Sequence, residues 1–140
     1  MIDLLVQRVL DHWNNLGITP VPALSRVEIS SLQARVGLEI PHDMLALYLH
    51  ANGMPVGEYD DRNLRFWQIG ELAEYISVDA SATRYGGFAD FLIMSHVYQI
   101  RLKTGLSAEV RIEGHAPITV ASSFTEFLRL YLDEPGRLYT

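Results

Sequence analysis

Apolar residues at Ile2, Leu5, Val6, Val9, Trp13 and Leu16 recur every three or four positions, the spacing of one helix face, and Gly17 follows where a helix commonly stops. Thr19-Pro20-Val21-Pro22 cannot continue that helix, because its two prolines remove donors and hold their predecessors extended. Ser25 and Glu28 then form a Ser-x-x-Glu capping box ahead of a stripe at Ile29, Leu32 and Val36, which predicts a second helix ending at Gly37. After a short extended Leu38-Glu39-Ile40, Pro41 suits the first position of a third helix. Its stripe is Leu45, Tyr48 and Leu49 and its end is Asn52-Gly53.

The pattern then changes. Met54 to Arg65 has no period and reads as an exposed loop, Phe66-Trp67-Gln68-Ile69 as a strand, Glu71 to Ile76 as a short helix after Gly70, and Ser77 to Phe88 as a second long loop containing Gly86-Gly87. The continuous apolar run Phe91-Leu92-Ile93-Met94 predicts the central strand, covered on both faces. Tyr98, Ile100 and Leu102 alternate with Gln99, Arg101 and Lys103, and Ala108, Val110 and Ile112 with Glu109, Arg111 and Glu113. That is a hairpin with one solvated face, a turn at Thr104-Gly105 and Arg–Glu pairs worth a few tenths of a kcal/mol each. Ile118-Thr119-Val120 is a last strand, and Ser123 with Glu126 repeats the capping box before Phe124, Phe127, Leu128 and Tyr131, a helix stopped by Asp133-Glu134-Pro135-Gly136. The fold class is α+β: N-terminal helices, a central, mainly antiparallel sheet of about four to six strands, and a C-terminal helix packed on the sheet.

Length and composition leave this picture intact. The 140 residues suit a single domain spanning 1–140, and 49% apolar with 20% charged residues is globular composition. No run approaches the roughly 18 apolar residues of a membrane helix, and Met1-Ile2-Asp3 does not begin a signal peptide, so a cytoplasmic location is expected. The absence of cysteine excludes disulfides, thiolate metal sites and a cysteine nucleophile. A net charge of −6 argues against nucleic acid and fits a basic protein partner better, although an acidic excess also simply keeps a small protein soluble.

Candidate chemistry is sparse. Ser95-His96 with Asp90 would be the start of a hydrolase triad, but neighbours on a strand point to opposite faces and no Gly-x-Ser-x-Gly elbow is present, so a strand-end turn is the better reading. The histidines, at 12, 42, 50, 96 and 115, include no i, i+4 pair, and Glu58, Asp60 and Asp61 lack the later ligands of a calcium loop. Gly86-Gly87 starts no phosphate-binding pattern and reads as a turn. Any stacking of Arg65-Phe66-Trp67 on nucleic-acid bases is opposed by Asp60 and Asp61. No catalytic residue, metal or cofactor is therefore expected. What remains is a binding surface on the long loops: the aromatics Tyr59, Phe66, Trp67 and Tyr85 as anchors, and Glu58, Asp60 and Asp61 to steer a basic partner. An equally good reading places Phe66 and Trp67 partly in the core, and for Trp67 the core is favoured.

Four segments together resemble the SUKH superfamily: Leu32 to Gly53 (LQARVGLEIPHDMLALYLHANG), Phe66-Trp67-Gln68-Ile69-Gly70, Phe91 to Leu102 (FLIMSHVYQIRL) and Ser122 to Leu132 (SSFTEFLRLYL). They follow one another in the family's order and span most of the chain, departing at Met94, where a small or acidic residue is expected. The resemblance implies an α+β fold without enzymatic activity. It also implies a bacterial immunity protein that binds and neutralises a cognate toxin, of nuclease or deaminase type, in a polymorphic toxin system. The alternatives are a regulatory protein-interaction module without a toxin and a small-molecule-binding protein with a polar pocket near Asp90, Ser95 and Tyr98.

Overall fold

The computed structural model describes residues 2–37, 39–102 and 108–139. Helix α1 (Ile2–Asn15) buries Leu5, Val6, Val9 and Trp13 and ends before Gly17, whose φ of 74° no β-carbon obstructs; Leu16, beyond the helix, is exposed. Helix α2 (Arg26–Val36) has both halves of the predicted capping box, Glu28 N–H to Ser25 Oγ at 3.1 Å and Ser25 N–H to Glu28 Oε1 at 2.9 Å, and a left-handed Gly37 at its end. Leu38, in the predicted extended link, lies outside the described residues. Helix α3 (His42–Tyr48) begins one residue after Pro41, which is extended. It buries Met44, Leu47 and Tyr48, so the inward face is rotated from the predicted stripe and leaves Leu45 and Leu49 only half-buried.

Among the described residues the sheet has six strands: β1 (Leu64–Phe66), β2 (Ile76–Val78), β3 (Arg84–Phe91), β4 (His96–Leu102), β5 (Val110–Ile112) and β6 (Ile118–Ala121). They run antiparallel in the order β1-β3-β4-β5-β6, and β2 also pairs with β3, alongside β1. Helix α4 (Ile69–Glu74) links β1 to β2, and its first free amide is met by Asn52 Oδ1, 2.7 Å from Ile69 N. Helix α5 (Phe124–Asp133) follows β6 and runs into a 3-10 turn, Pro135–Leu138. Ser123 Oγ accepts from Glu126 N–H at 3.0 Å as predicted, but Glu126 reaches back to Ser122 N–H rather than that of Ser123. Among the described residues no helix is long and apolar enough to cross a membrane.

One sheet face meets α1 and α5 in an aromatic core. Phe66 is its centre, with ring centroids 5.5 Å from Trp13, 5.0 Å from Tyr131, 5.9 Å from Phe127 and 6.4 Å from Phe88. Its polar tips are paired in series: Trp13 Nε1 donates to Tyr131 Oη at 3.1 Å, and Tyr131 donates to the Asp60 carboxylate. The opposite sheet face is turned away from α1 and α5, yet it is drier than the hairpin pattern predicts. Gln99 is fully buried there, bonded to Ser77 Oγ, Glu113 Oε2 and Arg111 Nε, while Arg101 pairs with Glu109 at 3.4 Å. Lys103 and the Thr104-Gly105 turn lie outside the described residues.

The middle of the chain differs from the prediction in four ways. Residues 54 to 65 are no uniformly exposed loop: Met54, Asp60, Leu64 and Arg65 are buried, because Leu64–Arg65 already belongs to β1 and the polar residues find partners inside. Predicted strand residues Trp67 and Gln68 lie beyond β1, and Ile69 opens α4. Predicted loop residues 77–88 contain β2 and the first half of β3, and Gly86-Gly87 is not a turn but mid-strand. These glycines read as breakers because the reason for them is tertiary. A β-carbon on Gly86 would stand 2.8 Å from Leu72 Cδ2, and one on Gly87 would stand 2.8 Å from both Trp67 Cζ3 and Tyr75 Cδ1. The fourth difference concerns Leu92, Ile93 and Met94, which form an exposed turn rather than the central strand; β4 stands in the middle of the strand order.

Gly87→Ala should therefore cost about 1–3 kcal/mol in urea unfolding through overpacking against Trp67 and Tyr75. Gly114→Ala, whose β-carbon meets nothing, should stay within about 0.5 kcal/mol of the parent. Equal effects of the two would contradict the strand assignment.

Candidate functional site

Beyond the end of β3 the chain must reverse into β4, and it does so through Leu92 (φ 49°), Ile93 (φ 50°) and Met94 (φ 69°), three consecutive non-glycine residues in the left-handed region. Each costs about 1–2 kcal/mol of backbone energy, and a β-branched isoleucine is among the least suited residues for it. Nor does burial offset the cost, since the three are 47%, 79% and 49% exposed. The turn is held from below. Met94 N–H donates to Asp90 Oδ2 at 2.8 Å, Leu92 N–H to the Asn63 carbonyl at 2.9 Å, and Ser95 Oγ to the Leu92 carbonyl at 3.0 Å.

Asp90, only 1% exposed, is where this support converges. Its Oδ1 accepts from Trp67 Nε1 at 2.7 Å and its Oδ2 from Tyr59 Oη at 2.5 Å, in addition to the Met94 amide. Three donors on one buried carboxylate satisfy it without an ion pair. Arg65, its cross-strand neighbour, is committed elsewhere, bidentate to Glu71 at 2.6 and 3.1 Å and bonded to the carbonyls of Met54 and Pro55. Trp67 lies against Gly87 with Tyr75 edge-on at 5.2 Å, which aims its indole N–H at Asp90.

These groups line an open groove of about 530 Å³ on the sheet face turned away from α1 and α5, with α4 along its edge. Val56, exposed, and Ile93 with Met94 are its apolar lining, Tyr59 and Trp67 join them, and Glu71 and Glu74 lie along it. Burial and then the Asp90 hydrogen bond push the Tyr59 hydroxyl up to about 12, and burial with the Glu113 contact raises Tyr75, so both hydroxyls remain donors at neutral pH.

The proposed partner-binding residues separate here. Tyr59 and Trp67 meet at Asp90, and Glu58 is exposed beside Tyr59. Phe66 is the core's centre and offers no surface, Trp67 is 4% exposed, and Tyr85, also buried, lies under Arg111, whose guanidinium carbon is 3.5 Å from the ring centroid. The acid cluster does not act as one patch either. Asp60 turns inward to accept from Tyr131, Arg62 N–H and Leu64 N–H, while Asp61 pairs with Arg62 at 3.1 Å and lies 3.2 Å from His12 Nε2. His12, Asp60 and Asp61 could gather around a cation, but Arg62 Nη1 is already there, 2.6 Å from His12 Nε2.

Asp90, Ser95 and His96 form no relay: Asp90 is saturated, Ser95 Oγ serves the turn, and the His96 ring abuts Phe91 edge-on at 5.4 Å. Tyr98 does not join them, because it pairs with Ala89 on the helix-covered face and its hydroxyl donates to the Leu138 carbonyl at 2.7 Å. The strand-end turn expected at Ser95-His96 is present, but it begins at Leu92, which sequence reasoning missed since three apolar residues in a row signal a buried strand. Asn63 and Asp90 flanking it carry no pattern of their own. No protein-family model matches this chain, and no curated protein matches it.

Raised tyrosines give the fold an alkaline limit. The unfolded chain releases these protons near pH 10 and the folded one holds them, so their contribution is complete below pH 10 and is lost as pH rises through the folded values. Urea midpoints should fall from pH 10 to 12, and Tyr59→Phe should fall less steeply than the parent. Parallel slopes would contradict a Tyr59 proton held on Asp90.

Proposed function

We propose that this protein is a non-enzymatic, protein-binding immunity protein of the SUKH type that neutralises a cognate basic toxin by covering its surface. The observation that carries the reading is the turn at residues 92–94, where backbone strain and apolar exposure fall on the same three side chains beside an acidic groove. Strain kept at an exposed site that gains nothing for folding is characteristic of functional surfaces, and a partner that buries these side chains supplies the missing gain. The hydrogen-bonding groups around the groove serve the scaffold, which suits recognition by shape, apolar contact and charge more than bond-making chemistry. Carboxylates at Glu58 and Glu74, on a chain of net charge −6, favour encounter with a cationic protein.

Co-expression with the toxin domain encoded beside its gene should restore growth of toxin-producing cells, and the two proteins should co-purify. Glu58→Lys with Glu74→Lys should slow association by about tenfold at low ionic strength and leave dissociation nearly unchanged, as expected for charges that steer. Asp60 is unsuited to this test, since it accepts three internal hydrogen bonds. An affinity indifferent both to these reversals and to salt would overturn the electrostatic part of the proposal.

A further inference from the structure

Resting on that protein-binding reading, we infer that Ile93 is the anchor of the interface, that its counterpart is an apolar pocket flanked by arginine or lysine, and that Asp90 is the positioning residue presenting it. Other exposed apolar side chains, such as Leu4, Val27 and Val78, stand singly on ordinary helix or strand backbone. Asn63 and Ala82 are also exposed on left-handed backbone, but one is polar and the other small; among the described residues, large exposed apolar side chains meet that backbone at 92–94, three in a row. Val56 also lines the groove, so a partner seated on Ile93 covers two separate segments of chain at once.

The partner's chemistry follows from what the groove leaves available. Tyr59 already donates to Asp90, Tyr75 to Glu113, Trp67 Nε1 to Asp90, and Arg65 is spent on Glu71 and two carbonyls. What this surface offers outward is apolar area and the carboxylates of Glu58 and Glu74, which accept and do not donate. A complementary surface therefore brings aliphatic side chains together with cationic donors. Phosphate backbones and anionic lipid headgroups meet only like charge here.

Asp90 acts through the turn and does not touch the partner itself. By fixing the Met94 amide, the Tyr59 hydroxyl and the Trp67 indole together, it keeps Ile93 in its bound position before encounter, which lowers the ordering cost of association and slows release. Asn at this position keeps the shape but turns an N–H₂ toward one of three donors.

The test uses nitrogen-15-labelled full chain titrated with an amphipathic peptide of alternating leucine and arginine. A leucine–glutamate peptide and phosphatidylcholine vesicles serve as separate arms. The arginine peptide should shift the amides of Gly57, Tyr59, Ile93 and Met94, the glutamate peptide and the vesicles should not, and Ile93→Ser should weaken the peptide by about tenfold or more with the remaining spectrum unchanged. Asp90→Asn should speed dissociation while association stays within about twofold, a split that simple loss of stability would not produce. Shifts confined to other faces, no shifts, equal binding of the acidic peptide, insertion of the turn into vesicles, or full binding by Ile93→Ser would each overturn the inference. If the peptide maps to the turn but no neighbouring toxin is neutralised, the toxin reading fails alone. If toxin protection survives Ile93→Ser, the anchor fails alone.

Discussion

Asp90 gathers three hydrogen bonds from three parts of the chain: Tyr59 from the loop before β1, Trp67 from the residue after it, and Met94 from the turn after β3. Its counterpart is Asp60, one residue from Tyr59, which faces the other way and collects Tyr131 from α5 together with two amides of its own loop. Adjacent residues thus fasten the segment from 55 to 63 to the two sides of the sheet. That segment can be irregular and yet fixed because both of its buried polar anchors are satisfied. Losing either carboxylate would strand donors in a dry interior, at about 1–3 kcal/mol for each unsatisfied group.

The rest of the architecture makes room for these anchors. Gly87 lets Trp67 and Tyr75 lie directly on β3, and Gly53, at φ 71°, lets its segment approach so closely that a β-carbon would stand 2.3 Å from the Trp67 carbonyl oxygen. Tyr48, from α3, donates to that same carbonyl at 2.5 Å. Trp67 is therefore fixed from helix, loop and strand together. Through Asp90 that rigidity is passed to an exposed turn which has no such stability of its own.

The two ends of the chain were legible in the sequence because their signals are local. Ser25 with Glu28, Gly17, Gly37 and the 3.6-residue stripes of α1 and α5 concern residues within a turn of each other. The middle was legible only in part, since what decides it lies far away along the chain. Gly86-Gly87 is a strand because Leu72, Trp67 and Tyr75 need the space. Phe91 ends the strand and Leu92 to Met94 form a turn because Asn63 and Asp90 supply its acceptors. Tyr59 and Trp67 were picked out as aromatics of an interface, and they do meet, although as supports beneath a surface rather than as the surface itself. Ile93, the most exposed of the large apolar residues described, is assigned to the core by the same rule that finds the core elsewhere.

The account depends on the turn being held by Asp90 rather than sampling many conformations, and amide hydrogen exchange reads this directly. The Met94 amide should exchange slowly despite its half-exposed side chain, with a protection that Asp90→Ala, which removes the acceptor altogether, abolishes while the amides of β4 keep theirs. Exchange of Met94 at the rate of an unstructured amide in the unaltered protein would contradict the central claim.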